Sequence, residues 1–170
     1  MARHLWLVGM MGSGKSSVGR LVAERIGIDF IDSDDVVTSR IGRPIVDYWT
    51  EHGEEAFRDQ EAQALAWLAL GPSRVIATGG GAVLRESNVA LMRESGVVIW
   101  LQAEVVTLAE RVGQSNRRPL LRDENPVAKL QVLLDERSDA YRRAAHGTIA
   151  TDGLTLETVA TRIEELWNAY

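Results

Sequence analysis

The sequence predicts an α/β fold: a three-layer αβα arrangement with a five-stranded parallel sheet and a mobile lid. Three observations carry that expectation. Apolar runs of strand length alternate with stretches of helical periodicity along the whole chain of 170 residues, the pattern of successive βαβ crossovers. Val97-Val98-Ile99-Trp100-Leu101 is apolar without alternation, as a strand covered on both faces should be. The first strand-to-helix junction reads Gly9-Met10-Met11-Gly12-Ser13-Gly14-Lys15-Ser16, which fits the phosphate-cradling P-loop pattern G-x-x-x-x-G-K-[ST].

Each element follows from its own residues. Leu5 to Val8 is a short apolar run of buried-strand type, and Ser16 to Ile26 places Val18, Leu21, Val22 and Ile26 at helical spacing before Gly27. Phe30-Ile31 is a second strand running into Asp32-Ser33-Asp34-Asp35. Short helices are expected over Val36 to Ile41 and Ile45 to Glu51, separated by Gly42 and Pro44. A longer one spans Glu54 to Leu70 and stops at Gly71-Pro72. Val75-Ile76-Ala77 is a third strand, leading through Thr78 into Gly79-Gly80-Gly81. Asn88 to Glu94 reads as a helix ended by Gly96, Val97 to Leu101 as the fourth strand, and Val105 to Val112 as a helix. Residues 113–125 are polar, charged and longer than an ordinary connection, which marks a lid. Pro126 to Ala145 is a long helix, Thr148 to Ala150 the fifth strand, and Leu156 to Ala169 an amphipathic helix. No linker or repeat divides the chain, so residues 1–170 form one domain.

Composition excludes several classes of function. The net charge is −5, with no basic run to grip a nucleic acid. There is no cysteine, hence no disulfide and no thiolate zinc site. The three histidines have no ligand-like spacing. No apolar stretch approaches the length of a membrane span, and no signal-peptide core is present. A cytoplasmic protein without a membrane partner is expected. The lack of an evident apolar surface stripe points to a monomer. Of the 19 basic residues only Lys15 and Lys129 are lysine, so an arginine carries weight here only within a motif.

In such sheets, ligands bind beyond the carboxyl ends of the strands. Lys15 would reach the β- and γ-phosphates of a nucleotide and the Ser16 hydroxyl would ligate Mg²⁺. Asp32 and Asp34, at the end of the second strand, are placed to serve Mg²⁺ and to orient or deprotonate an attacking hydroxyl. The alternative is an acidic turn in which Asp34 or Asp35 caps the next helix. Gly79-Gly80-Gly81 permits close approach of a ligand to the backbone, or is a flexible turn. Arg58 and Glu61 stand three apart on one helix, as an ordinary surface ion pair or as part of a grip on a substrate carboxylate. Arg117-Arg118-Pro119-Leu120-Leu121 would bring a mobile arginine over the γ-phosphate, or is a solvated basic turn. Glu136-Arg137-x-x-x-Tyr141 reads equally as a surface stripe.

Taken in order, the P-loop, Asp32-Ser33-Asp34, Gly53-Glu54-Glu55-Ala56-Phe57-Arg58, Gly79-Gly80-Gly81, Arg118-Pro119-Leu120-Leu121 and Glu136-Arg137 with Tyr141 resemble the shikimate kinase family over nearly the whole chain. The resemblance implies a P-loop kinase fold and ATP-dependent phosphorylation of the shikimate 3-hydroxyl, within aromatic amino acid biosynthesis. It implies that Gly12, Ser13, Gly14, Lys15, Ser16 and Ser17 hold the ATP phosphates, with Ser16 and Asp32 at Mg²⁺. It implies that residues 33–61 form the substrate-binding segment. Asp34 would orient or deprotonate the hydroxyl, Arg58 and Arg137 would clamp the carboxylate, and the backbone of Gly79, Gly80 and Gly81 would meet the ring. Arg118 would act from the lid on ATP and the transition state, and Arg111 would lie near adenine. Catalysis would fall to Asp34, Lys15 and Arg118. Two departures stand out: Trp49 occupies a place where the family more often has phenylalanine, and Thr151-Asp152-Gly153 does not match the family's adenine-contacting loop. A gluconate kinase would share the P-loop but not need the arginine clamp. A GTPase switch would carry D-x-x-G and N-K-x-D, and neither occurs.

Overall fold

The apolar runs become five parallel strands in the order β2-β3-β1-β4-β5 in the computed structural model, which describes residues 3–113 and 125–170. They are β1 (His4–Val8), β2 (Asp29–Asp32), β3 (Arg74–Ala77), β4 (Gly96–Gln102) and β5 (Gly147–Ala150). β1 lies at the centre, with Leu7 opposite Ala77 on one side and Ile99 on the other. The chain leaves β1 for β2 on one side and returns to β4 on the other, so β1 ends at the reversal of strand order where α/β sheets hold ligands.

The helices are α1 (Lys15–Ile26), α2 (Ser33–Ile41), α3 (Ile45–Ala69), α4 (Glu86–Ser95), α5 (Val105–Gly113), α6 (Pro126–Ala144) and α7 (Leu156–Ala169). Alternate strand residues face opposite ways, which divides the core in two. Leu5, Leu7, Ile99 and Leu101 pack with Val18 and Val22 of α1 and Val159 and Ile163 of α7. Trp6, Val8, Ile76 and Trp100 pack with Leu65 and Leu68 of α3, Met92 of α4, Leu108 of α5 and Leu130 and Tyr141 of α6. This is the three-layer αβα sandwich. Removing one of its fully buried leucines, such as Leu68, costs about 2–5 kcal/mol. Among the described residues no helix is long and apolar enough to cross a membrane.

Three boundaries differ from the sequence expectation. α2 begins at Ser33 rather than Val36, because the cap is Asp32, whose side chain accepts from the Asp34 N–H at 3.1 Å. Neither Asp34 nor Asp35 caps the helix, so that alternative is corrected and the Asp34 carboxylate is left to other contacts. The two helices expected on either side of residue 53 form one long element bent at Gly53 (φ 82, ψ 175). This left-handed conformation is one glycine adopts freely, and the bend turns the Trp49 segment back toward Arg58. The Gly79–Gly81 run leads into a short 3-10 turn, Ala82–Leu84, that the sequence did not suggest.

Candidate active site

The loop leaving β1 carries left-handed or related backbone at Gly9, Gly12 and Gly14 (φ 143, 79 and 94). It delivers the chain to α1 with Gly14 as the cap. Among the described residues no side chain caps α1 and no acidic residue lies in its first turn, which suits its positive end to an anion. Lys15 folds back over the loop, and its Nζ donates to the carbonyl oxygens of Gly9 and Met10 at 2.8 Å each. Ser13 Oγ is buried with no hydrogen-bond partner among the described residues.

Ser16, one residue on, points at the end of β2, where its hydroxyl donates to Asp32 Oδ2 at 2.7 Å. The other oxygen of Asp32 caps α2. Asp32 is thereby fixed at the edge of the phosphate cradle by two contacts of different origin.

The glycine run after β3 is pinned by the Gly79 N–H donating to Ser33 Oγ at 3.1 Å. Four side chains close on it. A Cβ on Gly79 would lie 2.7 Å from Glu61 Oε1 and 2.8 Å from Asp34 Oδ1. A Cβ on Gly80 would lie 3.3 Å from Arg137 Nη1 and 3.7 Å from the Gly9 carbonyl oxygen of the P-loop. A Cβ on Gly81 would collide with the Arg58 guanidinium. A side chain at Gly79 or Gly81 would have to displace these groups, and the loop backbone is the surface on which Asp34, Glu61, Arg58 and Arg137 converge.

Arg58 and Glu61 are not a surface pair. Arg58 is 6 % exposed and Glu61 1 %; Arg58 Nη1 donates to Glu61 Oε2 at 2.9 Å, and its Nη2 to Glu54 Oε1 at 3.2 Å. Burial pushes the Glu61 carboxyl above the usual range, against the pull of the Arg58 charge and hydrogen bond, and Asp34 adds to the rise. Glu61 Oε1 has no hydrogen-bond partner among the described residues. The Arg58 guanidinium also lies 5.5 Å from the Trp49 ring centre and 5.3 Å from that of Phe57. Trp49 thus packs against an arginine of the site, and the larger ring is absorbed by contact with Phe57, 5.1 Å away.

On the far side of the P-loop, Arg111 donates to the Gly12 carbonyl at 3.3 Å, to Thr151 Oγ1 at 3.0 Å and to the Thr151 carbonyl at 3.2 Å. This fastens the segment after β5 to the phosphate loop. Between them lies a cavity of about 380 Å³, lined in part by Ser13, Ser17, Arg111, Thr151, Leu154 and Val159. Thr151, from a segment that matches no expected pattern, therefore borders the cavity.

The contacts gather Asp34, Arg58 and Arg137 on Gly79–Gly81 next to Gly9 of the P-loop, join Ser16 to Asp32 and place Arg111 against Gly12. Arg118 and residues 114–124 of the expected lid lie outside the described residues. Sequence reasoning missed Glu61 as a site residue, although a signal was available. Phe57, Glu61, Ala64, Leu65 and Leu68 are all buried on one helix face, and a carboxylate inside such an apolar stripe announces burial. Thr151, Leu154 and Val159 offered no comparable signal.

The likenesses to known proteins agree with this geometry. The shikimate kinase family model matches residues 11–167. A shikimate kinase of Symbiobacterium thermophilum is 48 % identical over 164 residues, covering 95 % of this chain and 94 % of that one. One from Thermodesulfovibrio yellowstonii is 40 % identical over 161 residues, with 95 % and 92 % covered. The solved structure of a shikimate kinase from Acinetobacter baumannii in complex with shikimate has a TM-score of 0.92 at 36 % identity, covering 99 % of this chain and 94 % of that chain. A gluconokinase from Sinorhizobium meliloti aligns with a TM-score of 0.62 at 21 % identity, a likeness of fold alone. By family match, by relatives and by the residues gathered at the carboxyl end of the sheet, the chain belongs to the shikimate kinase family.

Proposed function

We propose that the protein transfers the γ-phosphoryl group of ATP to the 3-hydroxyl of shikimate, giving shikimate 3-phosphate and ADP. The observation that carries this reading is the convergence of Asp34, Arg58 and Arg137 on the Gly79–Gly81 backbone beside the P-loop. That arrangement suits a small acceptor with one carboxylate and several hydroxyls. Two arginines offer the planar fork that a carboxylate accepts. Asp34 takes the attacking hydroxyl as an acceptor, and the glycine backbone lets the ring lie close.

Gly12, Ser13, Gly14, Lys15, Ser16 and Ser17 hold the ATP phosphates at the start of α1, and Arg111 with the cavity beside it takes the base. A hydroxyl and a carboxylate 2.7 Å apart, Ser16 and Asp32, fit Mg²⁺, which is ordinarily held by one or two protein oxygens together with phosphates and water. When bound, the ion neutralises charge on the β- and γ-phosphates. The acceptor oxygen attacks the γ-phosphorus, the bond from phosphorus to the β–γ bridging oxygen breaks, and the hydroxyl proton passes to Asp34. Lys15 leaves its two carbonyl partners and follows the transferring charge. The family resemblance would give Arg118, which lies outside the described residues, the charge on the γ-phosphate and the transition state to neutralise. Positioning and electrostatics supply most of the rate. A monomer in a cytoplasmic setting is part of this proposal.

The test is a coupled ADP-release assay with shikimate and gluconate side by side, with and without Mg²⁺. Mg²⁺-dependent turnover of shikimate alone supports the reading. Turnover of gluconate without turnover of shikimate overturns it.

A further inference from the structure

Tyr141 takes no part in the reaction described above, yet its hydroxyl sits between two groups that do. It lies one helical turn beyond Arg137 on α6, so the two side chains leave the same face. The residue is fully buried, and its ring stacks on Trp100 of β4 with centres 5.5 Å apart and planes 22° from parallel. Phenylalanine would fill that space as well, so the hydroxyl is what needs a reason. A buried hydroxyl is costly unless it is hydrogen-bonded. This one donates to the Gly80 carbonyl oxygen at 2.5 Å, across 61 positions of sequence. The charge of the Arg137 guanidinium acts on the same phenol.

We propose that Tyr141 is a positioning residue whose hydroxyl holds the Gly80 carbonyl beside the Arg137 guanidinium and so sets the gap across which the acceptor's ring and carboxylate are held. The inference rests on the shikimate reading above. A Cβ on Gly80 would lie 3.3 Å from Arg137 Nη1 and 3.7 Å from the Tyr141 hydroxyl, so the guanidinium and the phenol both border the same glycine. Arg137 Nε is buried with no hydrogen-bond partner among the described residues, which makes the guanidinium more dependent on the anchors it has. Burial raises the phenol to about 12, against the Arg137 charge, so the hydroxyl keeps its proton and remains a donor at any pH where the enzyme works. The stacked, immobile ring turns this hydrogen bond into a fixed distance rather than a fluctuating one.

The experiment is steady-state kinetics of Tyr141→Phe, alone and combined with Arg137→Ala, alongside the wild type. Tyr141→Phe is expected to raise KM for shikimate about fivefold to tenfold, the loss of one net hydrogen bond. KM for ATP should stay within about twofold. A merely structural role would lower the melting temperature without separating the two KM values. In the Arg137→Ala background, Tyr141→Phe should add little, because the group it positions is gone. An unchanged KM for shikimate in the single variant, or equal effects of Tyr141→Phe in both backgrounds, overturns the proposal while the substrate reading stands. A wild type that does not phosphorylate shikimate overturns the substrate reading itself, and the tether's purpose with it.

Discussion

Gly79→Ala tests whether the glycine run is a working surface or only a turn. The added methyl would meet Glu61 Oε1 at 2.7 Å and Asp34 Oδ1 at 2.8 Å. Ordinary contact begins near 3.4 Å, so each oxygen must retreat by about 0.6–0.7 Å. The two carboxylates are not equally free to move. Glu61 is 1 % exposed and held by Arg58, whereas Asp34 is only half-buried. Asp34 therefore yields more, and it is the group proposed above to take the attacking hydroxyl. Overpacking of this kind costs about 1–3 kcal/mol, which for a chain of this size lowers Tm by about 2–10 °C. A displacement approaching 1 Å at a reacting centre lowers turnover about 100-fold. The assay is kcat and both KM values from coupled ADP release, with a thermal melt on the same sample. A kcat near 1 % of wild type with an unchanged KM for ATP is expected. A variant with kcat within twofold of wild type refutes the placement of Asp34 against the glycine loop.

Asp34→Asn should remove most turnover while leaving ATP affinity within about twofold, because the residue faces the acceptor and not the P-loop; titration with a non-hydrolysable ATP analogue checks the second half. Arg137→Ala should weaken shikimate binding about 10- to 100-fold, the cost of leaving a charged partner half-paired, with ATP binding little changed by calorimetry. Stability should fall on acidification through His146, whose Nδ1 accepts from the Val98 N–H at 3.0 Å. Burial, and then the Arg93 charge, hold that imidazole below its usual value of 6.5. A lowered folded-state pKa means a contribution fully present above about pH 6.5 and lost as pH falls through that value toward the folded one. Tm measured from pH 7.5 to 5 should therefore drop less steeply in His146→Asn, which keeps an acceptor but cannot titrate; parallel curves would contradict the assignment.

Much of this molecule was legible in its residues, for identifiable reasons. The P-loop, the unbroken apolar run of β4 and the amphipathic α7 were read directly, because period and motif are local properties. The break at residue 53 was placed correctly between two helical stretches, yet only the backbone shows that Gly53 bends one element instead of ending two. The start of α2 was misread because three carboxylates compete for one cap, and the choice depends on Asp32 being anchored by Ser16 from another element. Arg58 and Glu61 look like a surface pair when only their spacing is considered. Their burial follows from the packing of that helix face against the sheet and the glycine loop. At the cavity, the P-loop wall was legible and Arg111 followed from the family resemblance, but Thr151 was not, since it lies 40 residues from Arg111 and carries no motif of its own.

The most direct test of the account is a crystal structure of the wild type with shikimate, ADP and Mg²⁺. The expected result is the shikimate carboxylate between Arg58 and Arg137, its ring against Gly79–Gly81, and its 3-hydroxyl within hydrogen-bonding distance of Asp34. A shikimate carboxylate bound away from both arginines, or a 3-hydroxyl turned away from Asp34, would contradict it.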